Sequence, residues 1–242
     1  MNILILIVTI MGLNLYASVE ELSAVYLQKS KAEENVLEIR KKLASLSVRE
    51  LSSALPDDSQ KRAFWLNLYN GFVQETLRKN PQAYEDKNSF FSNEAFIFKD
   101  ASLSLDDIEH GILRKSQFKY GMGYIKKWFV SDIEKKLRVE KTDWRIHFAL
   151  NCGAASCPAI HFYKSEKIDK QLETATLGFL EQDILFDQKE NEISLSKIFF
   201  WFKGDFEGAN GIKKIISEKM NLKIDEDTKL IYKDYDWTIK LE

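Results

Sequence analysis

The pattern of apolar and polar positions changes period several times along the chain. Residues 1–15 are almost wholly apolar and carry no acid, and Tyr16-Ala17-Ser18 leads into a charged run from Glu20. An apolar core this short, ending at small residues, reads as a secretory signal over residues 1–17. It falls short of a full membrane span. The segment has no Lys or Arg, and Leu15 stands where a small residue is preferred, so an uncleaved N-terminal anchor is the competing reading. No Cys follows the run, which leaves no lipoprotein attachment point.

Residues 19–55 are polar, with sparse apolar positions at Leu22, Tyr26, Val36, Ile39 and Leu43. Steps of three, four and seven predict an amphipathic helix, a helical extension over residues 18–56. Pro56-Asp57-Asp58-Ser59 breaks it and supplies caps for a helix over residues 60–79. That helix carries Phe64, Trp65, Leu68 and Phe72 on one face and a polar stripe of Asn67, Asn70 and Gln74. Residues 96–98 and 102–104 read as a hairpin across Lys99-Asp100, and Ser104 caps a helix that begins near Asp106. Asp106, His110 and Arg114 then share one helix face.

Residues 145–150 read as a buried strand running into the small-residue loop Cys152-Gly153-Ala154-Ala155-Ser156-Cys157-Pro158. Residues 168–180 read as a helix, 184–186 and 192–195 as a hairpin, and 198–202 as a short helix capped by Ser196. Residues 211–220 read as a further helix, and 229–232 and 237–239 as strands. There are no repeats and no linker, so residues 57–242 form a single α+β domain, with helices packed on a mostly antiparallel sheet.

Composition narrows the function classes. Of 242 residues, 45% are hydrophobic and 12% aromatic, which excludes a disordered chain. Thirty-five Lys and Arg against 37 Asp and Glu, with both signs interspersed, give no basic arm or patch for nucleic acid. With signal cleavage the chain is periplasmic or secreted and keeps no membrane span. Nothing in the sequence sets its oligomeric state or calls for a cofactor.

Two Cys and three His limit the nucleophile search. Cys152, at the start of the small-residue loop, is the candidate nucleophile, with His110 as its base. Gly153 and Ser156 lie where backbone N–H groups approach a substrate, as an oxyanion hole requires, and Arg114 is close to His110. Strand alternation would put His147 on the face opposite Cys152. Three other readings stand beside this one. Cys152 is a buried small hydrophobe. His147, Cys152, Cys157 and His161 form a zinc site with ligand types that suit a tetrahedral ion. Cys152 and Cys157 form a disulfide, which an exported chain invites and which would silence the thiol.

Several runs occur in a fixed order. They are Ala63-Phe64-Trp65-Leu66-Asn67-Leu68-Tyr69-Asn70, then residues 103–114 with Asp106, His110 and Arg114, then residues 145–153 with Cys152. Ser156-Cys157-Pro158, Leu195-Ser196-Lys197-Ile198-Phe199 and Tyr235-Asp236-Trp237 follow. Together they resemble the domain-of-unknown-function 547 family, from about Arg62 to Trp237. The resemblance implies a circularly permuted relative of the papain-like cysteine peptidases, with His before Cys in the chain. It also implies Ser at the Cys157 position in plant-like members, which favours Cys152 as the nucleophile. His147 and His161 are not uniform in the family pattern, which weakens the zinc reading. Asn70 becomes either the third catalytic member, orienting His110, or a helix-packing residue bonded to a loop carbonyl. Asp236 divides in the same way between a site role and a cap. The usual Gly pair of the hairpin is replaced by Lys99-Asp100-Ala101. The function expected is an exported cysteine hydrolase or acyl-transfer enzyme acting on a peptide or cell-wall-type amide. The alternative is a non-catalytic binding or interaction module with the same fold.

Overall fold

Serine and aspartate side chains cap several of the helices, at Asp57 and Ser104 as the sequence predicts and at other positions besides. In the computed structural model, which describes residues 18–242, Ser18 caps α1 (Val19–Lys31) by accepting from the Glu21 N–H. The signal-segment expectation lies outside the described residues. One continuous helix to residue 55 does not form. Glu33 takes a left-handed backbone (φ 59°), and Ser47 and Glu50 make a reciprocal capping box. The region is therefore α1, α2 (Leu37–Ser45) and α3 (Val48–Ala54). These helices bury Tyr26, Ile39, Leu43, Val48 and Leu51 in the main core.

α4 (Asp58–Lys79), capped by Asp57, is the pillar of that core. Residues 63–71 are buried without a break, so the helix is surrounded on all faces. α1 lies directly against it. A Cβ on Gly71 would sit 2.7 Å from the Tyr26 ring, so glycine is what permits the close approach. Asn67 and Asn70 point into the core with their amides fully paired. Asn67 donates to the Tyr163 carbonyl and accepts from the Tyr163 N–H, at 2.9 and 3.0 Å. Asn70 donates to the Ala149 carbonyl at 2.9 Å and accepts from the Asn151 N–H at 2.8 Å. Asn70 therefore holds the loop before Cys152 and makes no bond to His110, which corrects its expected catalytic role.

After α5 (Lys87–Ser92), β1 (Glu94–Phe98) and β2 (Ala101–Ser104) form the expected hairpin. Ser104 and Asp107 cap the next helix reciprocally, at 2.7–3.0 Å. Residues Asp107–Leu113 are wound as a π-helix, a form concentrated at functional sites. α6 (Asp132–Leu137) follows. Residues Trp144–Phe148, expected as a strand, form a 3-10 helix. Residues 146–150 are all buried, and a short continuous apolar run does not distinguish a strand from a buried helix by period.

α7 (Ile168–Asp183), β3 (Leu185–Asp187), β4 (Glu192–Leu195), α8 (Ile198–Trp201), α9 (Gly208–Met220) and β5 (Lys229–Tyr232) complete the chain. β3 and β4 pair antiparallel, and β5 adds in parallel to β4. The expected strand at residues 237–239 is reduced to one bridge, between Ala154 and Ile239. A second apolar cluster gathers Phe148, Phe199, Phe206, Ile193 and Ile212. The class is α+β, with two small sheets and α4 at the centre. No helix among the described residues is long and apolar enough to cross a membrane.

Replacing Asn70 by Ala would leave a buried carbonyl and a buried N–H without partners. Loss of both bonds is expected to cost about 2–4 kcal/mol in urea unfolding. A loss below about 0.5 kcal/mol would show that water replaces both bonds.

Candidate functional site

Three segments meet at a cleft of about 410 Å³. Its lining includes Asp106, Glu109 and His110 from the π-helix region, Leu150, Cys152 and Pro158 from the cysteine loop, and Trp201, Phe202, Tyr235 and Trp237 from the C-terminal part. His147 lines it too, so the 3-10 winding brings His147 to the side of Cys152 and not to the opposite face.

Cys152 and Cys157 are joined by a disulfide. Cys152 is therefore not a thiol nucleophile in this form, because its sulfur is bonded to carbon and to sulfur. The Tyr235 hydroxyl lies 3.3 Å from both sulfurs. The loop is fixed at many points. The Tyr84 hydroxyl donates to the Cys152 carbonyl at 2.8 Å, and the Asn151 side chain donates to the Pro158 carbonyl at 2.7 Å. The Gly153 N–H donates to Asn151 Oδ1 at 2.9 Å, so it is not free to hold an oxyanion. Gly153 has φ +88°, and a Cβ there would meet Leu77 at 2.4 Å, which explains the glycine by packing. Ser156 pairs with Asp236 through two backbone-linked bonds and takes no place in the cleft lining. Asp236 accepts from the Thr238 N–H at 2.9 Å, a local turn bond, and takes no place in the cleft lining.

His110 is engaged on both sides. Arg114 Nη1 lies 2.8 Å from His110 Nδ1, and Nε2 lies 3.5 Å from Asp106 Oδ1. A guanidinium only donates, so Nδ1 accepts and the ring proton sits on Nε2, facing Asp106. Burial works to raise the Asp106 carboxyl. Bonds from His110 and Lys119 prevail and hold it below the usual carboxylate value. No hydrogen bond links His110 to Cys152 among the described residues, so the expected dyad is not assembled. Arg114, expected near substrate, is 1% exposed and sits behind His110. Its Nε donates to Asp205 at 2.7 Å, and its guanidinium lies over the Phe202 ring at 4.6 Å.

Asp205 ties the two histidines together. Its Oδ2 accepts from Arg114 and is 2.8 Å from His147 Nε2. His147 stacks on Phe202 with ring centroids 4.0 Å apart. Burial works to raise the Asp205 carboxyl, yet the bonds from His147 and Arg114 hold it well below the usual range. Burial lowers His147 below the ordinary imidazole value, against the pull of Asp205. The sequence reading missed Asp205. It stands in Lys203-Gly204-Asp205-Phe206, outside every run that carried the resemblance, and only the fold shows its partners.

The spacing read as a zinc motif does not converge. Its two cysteines are bonded to each other and His147 is bonded to Asp205. Among the described residues no group of three or more His, Cys, Asp or Glu side chains is placed to hold a metal ion.

Two predictions follow from this geometry. His147 has a lowered native value, so the unfolded chain binds its proton first as pH falls. Stability is lost as pH drops below about 6.5, and Asp205 adds a further loss below about 3.9. Urea midpoints should decline between about pH 7 and about pH 5, and His147→Gln should flatten that decline. An unchanged slope would remove His147 from the account. The second concerns the sulfurs. Cys157 Sγ accepts from the Cys152 N–H at 3.0 Å and the Ala154 N–H at 3.4 Å. Iodoacetamide should label neither residue in the oxidised protein. After reduction it should label Cys157 ahead of Cys152 at mildly acidic pH, since two donors favour the Cys157 thiolate. The opposite order would restore Cys152 as the activated sulfur.

No curated protein and no solved structure matches the chain. Residues 53–180 match the family described as "Protein of unknown function, DUF547". That stretch holds α4, the π-helix, both cysteines and His147, and it ends before Asp205, Trp201 and Tyr235. It covers more than half of the 242 residues, and the chain belongs to the DUF547 family.

Proposed function

We propose that the chain is an exported binding module whose aromatic cleft takes a short peptide or peptide-like amide. The composition of the cleft carries this reading. Tyr120, Trp201, Phe202, Tyr235 and Trp237 wall a space of about 410 Å³, and Asp106, Glu109 and His110 stand at its polar end. Aromatic walls accept apolar side chains, while carboxylates accept amide and ammonium N–H groups. Export rests on the apolar segment at residues 1–17.

A cysteine hydrolase or acyl-transfer enzyme, with the permuted papain-like architecture that the family resemblance implies, is the second reading. One observation favours it: Cys152 and His110 line the same cleft although they come from separate segments. It requires reduction of the disulfide and rotation of His110 away from Asp106.

Titration with a tripeptide amide that carries one aromatic and one basic residue separates the two. The oxidised protein should give a saturable change in tryptophan fluorescence, because Trp201 and Trp237 line the cleft. Trp201→Leu should weaken binding about ten-fold or more. No saturable change would defeat the binding reading. Release of the free acid by the reduced protein, abolished in Cys152→Ser, would establish the enzyme reading instead.

A further inference from the structure

Residues 117–130 carry a concentration of exposed aromatic surface. Trp128 and Phe129 are 90% and 92% exposed, and Tyr120 and Tyr124 are 70% and 62% exposed. Phe118 and Ile125 are exposed as well. Scattered apolar residues on a surface need no explanation, but a contiguous run of large ones marks an interaction face.

The backbone beneath them is fixed. The Phe118 N–H donates to the Ile125 carbonyl and the Lys127 N–H to the Ser116 carbonyl, both at 2.8 Å. Gln117 and Lys126 form an antiparallel bridge, and the Gly204 N–H donates to the Met122 carbonyl at 2.7 Å. Gly123, at φ +83°, is pressed against Asp205, whose backbone nitrogen a Cβ would meet at 2.5 Å. Phe118, Tyr120 and Tyr124 are thus held on an anchored hairpin, and Trp128 and Phe129 follow directly after its last bond.

Charge indicates what covers them. Residues 115–130 include Lys115, Lys119, Lys126 and Lys127 and no Asp or Glu. Lys119 and Lys127 reach back to Asp106 and Glu134, while Lys126 is exposed and has no ion pair among the described residues. A second copy docked through the same segment would bring no Asp or Glu of that segment to meet Lys126. Tyr and Trp rings sit at headgroup level in a bilayer, and Lys stems lie along apolar surface while their ammonium groups meet acidic headgroups.

We infer that residues 117–130 dock the protein onto an anionic lipid bilayer. The aromatic side chains enter the headgroup zone, and Lys126 with its neighbours faces the acidic lipid. Lys119, Tyr120 and Met122 also line the cleft, so docking brings one rim of the cleft to the membrane surface. This inference does not rest on the ligand proposed for the cleft.

The test uses the full chain and vesicles of equal parts phosphatidylglycerol and phosphatidylethanolamine with brominated acyl chains. Of the five tryptophans only Trp128 is exposed, so bromine quenching reports its insertion whichever other segment touches lipid. Strong quenching is expected, lost in Trp128→Phe and reduced about ten-fold with phosphatidylcholine vesicles or raised salt. The pair Lys126→Glu and Phe129→Ser keeps Trp128 and should cut quenching several-fold with no change in the thermal midpoint. Absent quenching with the anionic vesicles, or equal quenching in that pair, overturns the inference. A dimer in solution that the same pair dissociates assigns the face to a second copy and overturns it too.

Discussion

Burying the amides of Asn67 and Asn70 in the middle of α4 would cost about 2–7 kcal/mol each if they were left unpaired. Both are paired, and their partners are backbone groups of passing loops, Tyr163 for one and Ala149 with Asn151 for the other. The polar stripe on an otherwise apolar helix is thus the device that fixes two loops against the pillar of the core. Asn151, fixed by Asn70, in turn accepts from Gly153 and donates to Pro158. The cysteine loop therefore takes its shape from α4 through a chain of bonds, each buried, and a change at one end is felt at the cleft.

The second constraint is electrostatic. Arg114 is nearly inaccessible, and a buried guanidinium without an anion is strongly unfavourable. Asp205 supplies that anion, and the same oxygen binds His147. Arg114 then fixes the acceptor face of His110, so one carboxylate sets the orientation of both imidazoles, directly for His147 and through a guanidinium for His110. Phe202 packs against both members of this network, stacked on His147 and in contact with the Arg114 guanidinium, which couples the aromatic wall to the polar end.

Local signals were legible in the sequence where the chemistry is local. Asp57 and Ser104 cap as short-range hydrogen bonding dictates, whereas only the structure shows that Glu33 and Ser47 divide the first region into three helices. The Asp106, His110 and Arg114 face was visible from helical spacing, because residues four apart are neighbours whatever the tertiary context. What failed depended on long-range partners. Residues 146–150 are buried throughout, so period gave no preference between strand and 3-10 helix, and the side assigned to His147 reversed with it. The family resemblance left Asn70 divided between a site role and a bond to a loop carbonyl, and the fold shows the loop clasp. Asp205 carried no pattern at all. Its importance lies in contacts to residues 58 and 91 positions earlier.

The disulfide matters less for global stability than for what hangs on its loop. A ring closed across so few residues removes little entropy from the unfolded chain. In the folded chain, however, the Ala155 N–H donates to the Thr238 carbonyl, the Ser156 N–H to the Asp236 carbonyl and the Lys240 N–H to the Gly153 carbonyl. The C-terminal strip is stitched along the cysteine loop, and that strip carries Tyr235 and Trp237, which pack on Trp201 to form the aromatic wall. The Tyr235 hydroxyl touches both sulfurs. Oxidation therefore holds the wall in register with the floor of the cleft. Neither sulfur takes part in the clasp of α4 on Asn151, whereas both touch Tyr235 of the strip. The same pair of cysteines that seemed to offer a nucleophile thus closes, in this form, the loop whose backbone bonds join the family-matched part of the chain to the residues beyond it.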